Sequence, residues 1–368
     1  MTDRQTDRQT DRQTDRQTDR QTDRQTDRQT DRRYHSIDFA KGIGILFIIV
    51  THFAWRDTER LKYLFPFWID MAVPVFMIIS GFVNTISFQK NHITTIDKAY
   101  TVNFLLGKLI RYSVPFLIIF LIEEIVFNPT AMSLCDIVKI GASFLSGGFG
   151  PGSYYYPIII QFVFYFPVIF SIIRKYDFNG FMLCGFINLT YEVLKFSYGM
   201  NEGCYRLLVF RYTLLIAYGT YLAMGNYKRH KMLTIICMGV GIVYIILFKY
   251  IGFTPPITNF WTGTSLWACL FIIPISAPII VNKISNCFIE ILGRASYDIF
   301  LVQMVYYTNA GNIYKLVNER WLQLLINIII CVSLGVLFHY IETPFTAIIY
   351  GMAYKIWNNA SKKHSPNI

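Results

Sequence analysis

Charged side chains are scarce in this sequence. They occupy 15% of 368 positions, against roughly 25% in a soluble domain. That shortage excludes an ordinary soluble enzyme and a disordered chain. Paired cysteine motifs are missing as well. The seven cysteines, at 135, 184, 204, 237, 269, 287 and 331, are scattered mostly through apolar stretches with no Cys-x-x-Cys. They read as small hydrophobes, which excludes a disulfide-stapled secreted module and a cysteine metal site. No metal centre and no bound cofactor are expected. No nucleic-acid-binding motif is visible, so the net charge of +11 is not read as a nucleic-acid patch.

What the chain has instead is apolar surface. Hydrophobic residues make up 54% and aromatics 17% of it. Almost none of this lies in the first 33 residues, so the remaining body is roughly 59% apolar, against ~45–50% in a soluble protein. The expectation is an all-α polytopic helix bundle of about ten membrane spans, each near the ~20 residues that cross a hydrocarbon core. The approximate placements are 39–54, 68–86, 110–127, 154–173, 180–197, 207–225, 232–251, 264–281, 289–308 and 323–350. Breaks fall at Arg56–Lys62, Lys90–Lys108, Gly147–Gly152, Arg174-Lys175, Lys228–Lys231 and Pro255-Pro256. The excess of Lys and Arg is the bias expected of cytoplasmic loops, and it places both termini inside. Residues 34–354 are expected to form the membrane domain, and 355–368 a cytoplasmic tail.

Residues 2–29 are seven copies of Thr-Asp-Arg-Gln, followed by Thr30-Asp31-Arg32. With no apolar residue beyond Met1, residues 1–33 cannot bury a core and are expected to stay solvated and disordered. Nor do they contain the apolar run of a signal peptide. The genetic code adds an inference. The unit ACAG, read continuously, gives ACA-GAC-AGA-CAG, which is Thr-Asp-Arg-Gln. A tetranucleotide tract of this kind slips during replication, so the repeat is read as a frameshift switch, that is, phase variation. Such switching is expected of genes that alter the bacterial surface. The bland alternative is an expansion with no regulatory role, or a start codon misassigned upstream.

Polar groups inside apolar spans are costly and therefore candidates for function. The first span holds the sharpest set: Asp38, Lys41 and His52. Eleven residues separate Lys41 from His52, about 16 Å along a helix. Three turns bring them to nearly the same face. Asp38 lies three residues before Lys41 and can pair with it. A snorkelling lysine and a satisfied histidine explain the same spacing.

The run Arg33-Tyr-His-Ser-Ile-Asp38-Phe-Ala-Lys41, continuing to Val50-Thr-His52, resembles the first helix of the membrane-bound acyltransferase-3 family. That helix carries Arg or Lys, ten residues, then His. The rest of the chain is similar in order: Val73-Pro to Ser80-Gly81-Phe82; Lys108-Leu-Ile-Arg111 to Pro115; Gly150-Pro-Gly to Pro157, leading to Gln161 and Pro167; Gly293-Arg-Ala-Ser296-Tyr297; and Tyr340-Ile-Glu342-Thr-Pro344. Two departures stand out. Lys41 sits where Arg is commoner, which keeps the charge and loses the planar fork. Gln303 sits where many members have His, which removes any acid–base role tied to that position. The soluble hydrolase-like domain that some members carry is not expected here, and the chain is expected either to act alone or to hand its acyl group to a separate periplasmic acyltransferase.

The resemblance implies an inner-membrane enzyme that moves an acyl group from cytoplasmic acyl-CoA, usually acetyl-CoA, to a hydroxyl of a glycan or lipid-linked sugar. Lys41 and Arg111 would hold the donor's phosphates. His52 would act as general base or carry the acyl group transiently. Glu342 would orient His52 or pair with a cation. Ser80-Gly81 allows close helix approach, with a polar contact from Ser80 to substrate as the sharper reading, and Gln161 is the other substrate-side candidate. Asp298, His339, Glu123, Glu124, Glu192 and Glu290 rank lower. The rival reading is a polysaccharide or lipid-linked sugar translocator, which needs a polar cavity but no Lys41–His52 pair.

Overall fold

The computed structural model describes residues 35–127, 134–225, 231–253, 266–281, 285–310 and 317–363. The tandem repeat and the expected breaks at 228–230 and 255–256 lie outside them. Among the described residues there are helices and turns and no strand. This is what a chain with few polar groups must do in lipid, where each backbone donor and acceptor has to be satisfied within its own segment.

The principal helices are α1 (His35–His52), α2 (Ala72–Lys90), α3 (Val102–Ile122), α4 (Leu134–Leu145), α5 (Tyr155–Ser197), α6 (Thr213–Ala223), α7 (Lys231–Ile245), α8 (Ile272–Val281), α9 (Cys287–Arg294), α10 (Ser296–Asn309) and α11 (Arg320–Lys363). Six helical stretches are long and apolar enough to cross a membrane, so the expected count of about ten is not confirmed. Two features account for much of the difference. The stretch α5 holds two helices that meet at a kink, where Asp177 is non-helical (φ 47°, ψ −118°), so the spans expected at 154–173 and 180–197 form one long apolar stretch. At ~1.5 Å per residue it would otherwise run about twice the ~30 Å hydrocarbon thickness. The expected spans at 207–225, 264–281 and 289–308 appear as shorter or interrupted helices. Helix α11 also runs through the expected boundary at 354 as far as Lys363.

Helices α2 and α6 pack closely against each other. A Cβ on Gly81 would sit 2.2 Å from the Ile216 carbonyl oxygen, and one on Gly219 only 1.9 Å from that of Ile78. The two backbones touch through their glycines, the close approach expected of Ser80-Gly81. Apolar side chains on the outer helix faces, such as Val138, Leu145, Met232 and Ile329, remain exposed. In a membrane protein that surface meets lipid. Buried inside are Ile45, Ile49, Ile78, Ile158, Ile216, Ile299 and Leu301. Two cavities lie along one side of α1, bordered by its residues Lys41, Ile45, Ile48, Thr51 and His52.

Candidate active site

Lys41, Ile45, Ile48 and His52 recur at four-, three- and four-residue steps, one stripe of an α-helix. The fold gives that stripe a cavity at each end. The first, about 420 Å³, is lined by Lys41, Ile45, Ile48, Ser80, Arg111, Arg294, Asp298, His339 and Glu342 among others. The second, about 440 Å³, is lined by Ile48, Thr51, His52, Arg60, Asp70, Gly152, Arg206 and Lys249 among others. Ile48, Tyr155 and Phe300 border both. Lys41 and His52 thus share a face but open into different chambers, with one wall between them.

In the first cavity the cations Lys41, Arg111 and Arg294 gather at the α1 N-terminal end. Lys41 Nζ lies 3.6 Å from Asp38 Oδ1, one helical turn back. The same cavity holds two acids and a histidine. His339 Nδ1 stands 2.6 Å from Asp298 Oδ2. Glu342 accepts hydrogen bonds from Thr346 (2.6 Å) and Thr343 (3.2 Å). Asp298, His339 and Glu342 bring three potential ligand atoms within 4.8 Å of one another, arranged as a hydrogen-bonded histidine–carboxylate pair beside a second acid. Glu342 therefore keeps to the Lys41 chamber, and its hydrogen bonds run to Thr343 and Thr346.

The partner of His52 is Gln303, on α10: His52 Nδ1 and Gln303 Oε1 are 2.9 Å apart. A carbonyl oxygen has only lone pairs to offer, so this contact requires the proton on Nδ1 and leaves Nε2 with a free lone pair. The ring also lies edge-on to Tyr307. The end of α1 is fixed by side chains that satisfy its last carbonyls. Tyr307 donates to Ile49 (2.7 Å), Trp55 to Val50 (2.7 Å) and Arg60 to Thr51 (3.3 Å). Arg60 also binds Asp70 at 2.5 Å. Gly152 closes the chamber against the imidazole. Its φ is +89°, and a Cβ there would lie 3.0 Å from Phe300 and 3.3 Å from His52 Cε1. Only glycine adopts that conformation freely and leaves that space.

Two expected residues lie off this line. Gln161 borders neither chamber: its Nε2 donates to the Leu207 carbonyl (2.7 Å) and its Oε1 accepts from Val209 N–H (3.2 Å). The amide holds the turn that leads into α6. Glu290 anchors the start of α1, its Oε2 lying 2.6 Å from His35 Nδ1. Burial pushes its pKa up, but hydrogen bonds from Ser285 and His35 outweigh this and hold it below the usual carboxylate value. Glu123 is buried where α3 widens at its end, and Glu192 accepts a hydrogen bond from Tyr205; neither lines a chamber. The fold adds Arg294, Arg60, Asp70, Lys249 and Gln303 to the site.

A family model described as an acyltransferase domain matches residues 34–340. No curated protein and no solved structure matches the chain.

Proposed function

We propose that this chain, which belongs to the membrane acyltransferase-3 family, transfers acetyl from cytoplasmic acetyl-CoA to a hydroxyl of a surface polysaccharide, capsule or lipopolysaccharide, at the bacterial inner membrane. The observation that carries this reading is the α1 stripe, with a cationic chamber at one end and an imidazole chamber at the other, separated by a single wall. Lys41, Arg111 and Arg294 hold the donor's phosphates by charge-assisted hydrogen bonds. The pantetheine arm then brings its thioester to the wall at Ile48, about 10 Å along the helix from Lys41. The acceptor hydroxyl enters from the His52 side.

His52 Nε2 takes the hydroxyl proton as the oxygen attacks the thioester carbonyl. The new ester C–O bond forms, the C–S bond breaks, and the coenzyme thiolate leaves with the proton that His52 returns. Gln303 holds the ring in the tautomer that this needs. The lysine- and arginine-rich loops support a cytoplasmic Lys41 chamber. The acceptor chamber is built into the same chain, which favours direct transfer over delivery to a separate acyltransferase. The Thr-Asp-Arg-Gln tail supports a switched surface antigen. Sequencing its coding tract in many isolates tests that part: pure ACAG repeats of varying number are expected, whereas mixed codons overturn it.

The central test is mass analysis of surface glycans from strains with the gene intact, deleted, or carrying His52→Ala. Deletion should remove one acetyl mass per modified residue while export continues. His52→Ala should cut the rate by about 10²–10⁴-fold, the usual contribution of a general base. Acetylation left intact with export lost would establish the translocator reading instead. Lys41→Arg should retain activity. Lys41→Ala should raise KM for acetyl-CoA by about tenfold to a hundredfold, the loss of one charge-assisted contact.

A further inference from the structure

The charge of the His52 chamber bears on the acceptor. We propose that the acceptor glycan is anionic, carrying a carboxylate or a phosphodiester that Lys249 and Arg206 bind while its hydroxyl faces His52. This rests on the acetyl-transfer reading above and names the substrate class for that site.

Three cations and one carboxylate line the chamber. The carboxylate, Asp70, is already bound by Arg60 at 2.5 Å. Arg206 contacts Glu202 at 2.8 Å, but Glu202 also holds Lys195 at 2.9 Å, so one acid serves two cations. Burial pushes the pKa of Glu202 up, yet hydrogen bonds from Lys195 and Arg206 hold it below the usual value, so it stays ionised and is shared between them. Lys249 has no acidic partner among the described residues. It stands on a widened π-type turn, Ile246–Tyr250, that continues α7, a local distortion often found at binding sites. The chamber therefore carries surplus positive charge on the face where the loop bias makes cations scarce.

A neutral sugar leaves that charge unanswered, whereas an anionic one pairs with it. The volume, about 440 Å³, suits one or two sugar residues. Tyr154, Tyr155 and Tyr212 supply aromatic faces on which a sugar ring packs.

The test uses the full chain in nanodiscs with radiolabelled acetyl-CoA. The probe is surface polysaccharide purified from the deletion strain, offered native, after carbodiimide–borohydride reduction of its carboxylates, or after hydrofluoric-acid removal of its phosphodiesters. One treatment should lower kcat/KM at least tenfold, and which one does so identifies the anion. Lys249→Gln and Arg206→Gln should each raise KM for native glycan several-fold, leave KM for acetyl-CoA unchanged, and have no effect on the neutralised glycan. Equal labelling of native and neutralised glycans overturns the proposal while leaving acetyl transfer intact. No labelling of native glycan overturns the acetyl-transfer reading itself. A Lys249 effect confined to nanodiscs containing phosphatidylglycerol assigns the charge to lipid headgroups and also overturns the proposal.

Discussion

At the residue scale the chemistry turns on which imidazole nitrogen of His52 is free. Gln303 accepts a hydrogen bond from Nδ1–H, so the basic lone pair sits on Nε2. Replacing Gln303 by Leu removes that acceptor and releases the ring to either tautomer. In the proposed transfer, kcat should fall on the order of tenfold or more while KM for both substrates stays near its original value. Steady-state kinetics separates this from a binding defect, because a structural role would move KM too. The spacing of Lys41 and His52 made their shared stripe legible, since eleven residues close on a helical period. Gln303 as partner was not legible in that way. It lies 251 positions from His52, and no local pattern links residues so far apart. Gln161 shows the converse: a polar residue inside a family-like segment can satisfy a turn's backbone, and the sequence is the same in either case.

Elements were legible where one helix makes one span and obscure where a helix is short. Composition and loop charges locate apolar stretches and place a break at Arg174-Lys175, close to the kink at Asp177, but they do not reveal that α6 and α8 are short. The α2–α6 contact lies between these cases. Ser80-Gly81 signalled a close approach, while its partner Gly219 became visible only with the fold. Gly219→Ala places a methyl 1.9 Å from the Ile78 carbonyl oxygen, so the helices must separate. A loss of about 1–3 kcal/mol is expected for such overpacking. Thermal unfolding of the detergent-solubilised protein should show a lower midpoint. An unchanged midpoint would mean that the contact tolerates a wider spacing.

For the molecule as a whole, the decisive feature is the wall of Ile48, Tyr155 and Phe300 between the two chambers. In the proposed reaction it has two tasks. It must let a thioester meet a hydroxyl, and it must keep water on the His52 side from reaching the thioester when no acceptor is present. Phe300 is the wall residue best placed for a test, because it is buried, packs edge-on against Tyr155, and closes on Gly152 beside the imidazole. Phe300→Ala would remove too much of the core, costing about 3–5 kcal/mol, so Phe300→Leu is the cleaner change. It narrows the barrier while keeping an apolar side chain. Release of free coenzyme A without acceptor should rise relative to acetyl transfer, and propionyl- and butyryl-CoA should become better donors relative to acetyl-CoA. Thiol release measured with and without glycan reads both effects. If the two ratios match those of the unaltered protein, the partition does not control access between the chambers, and the thioester must reach His52 by another route.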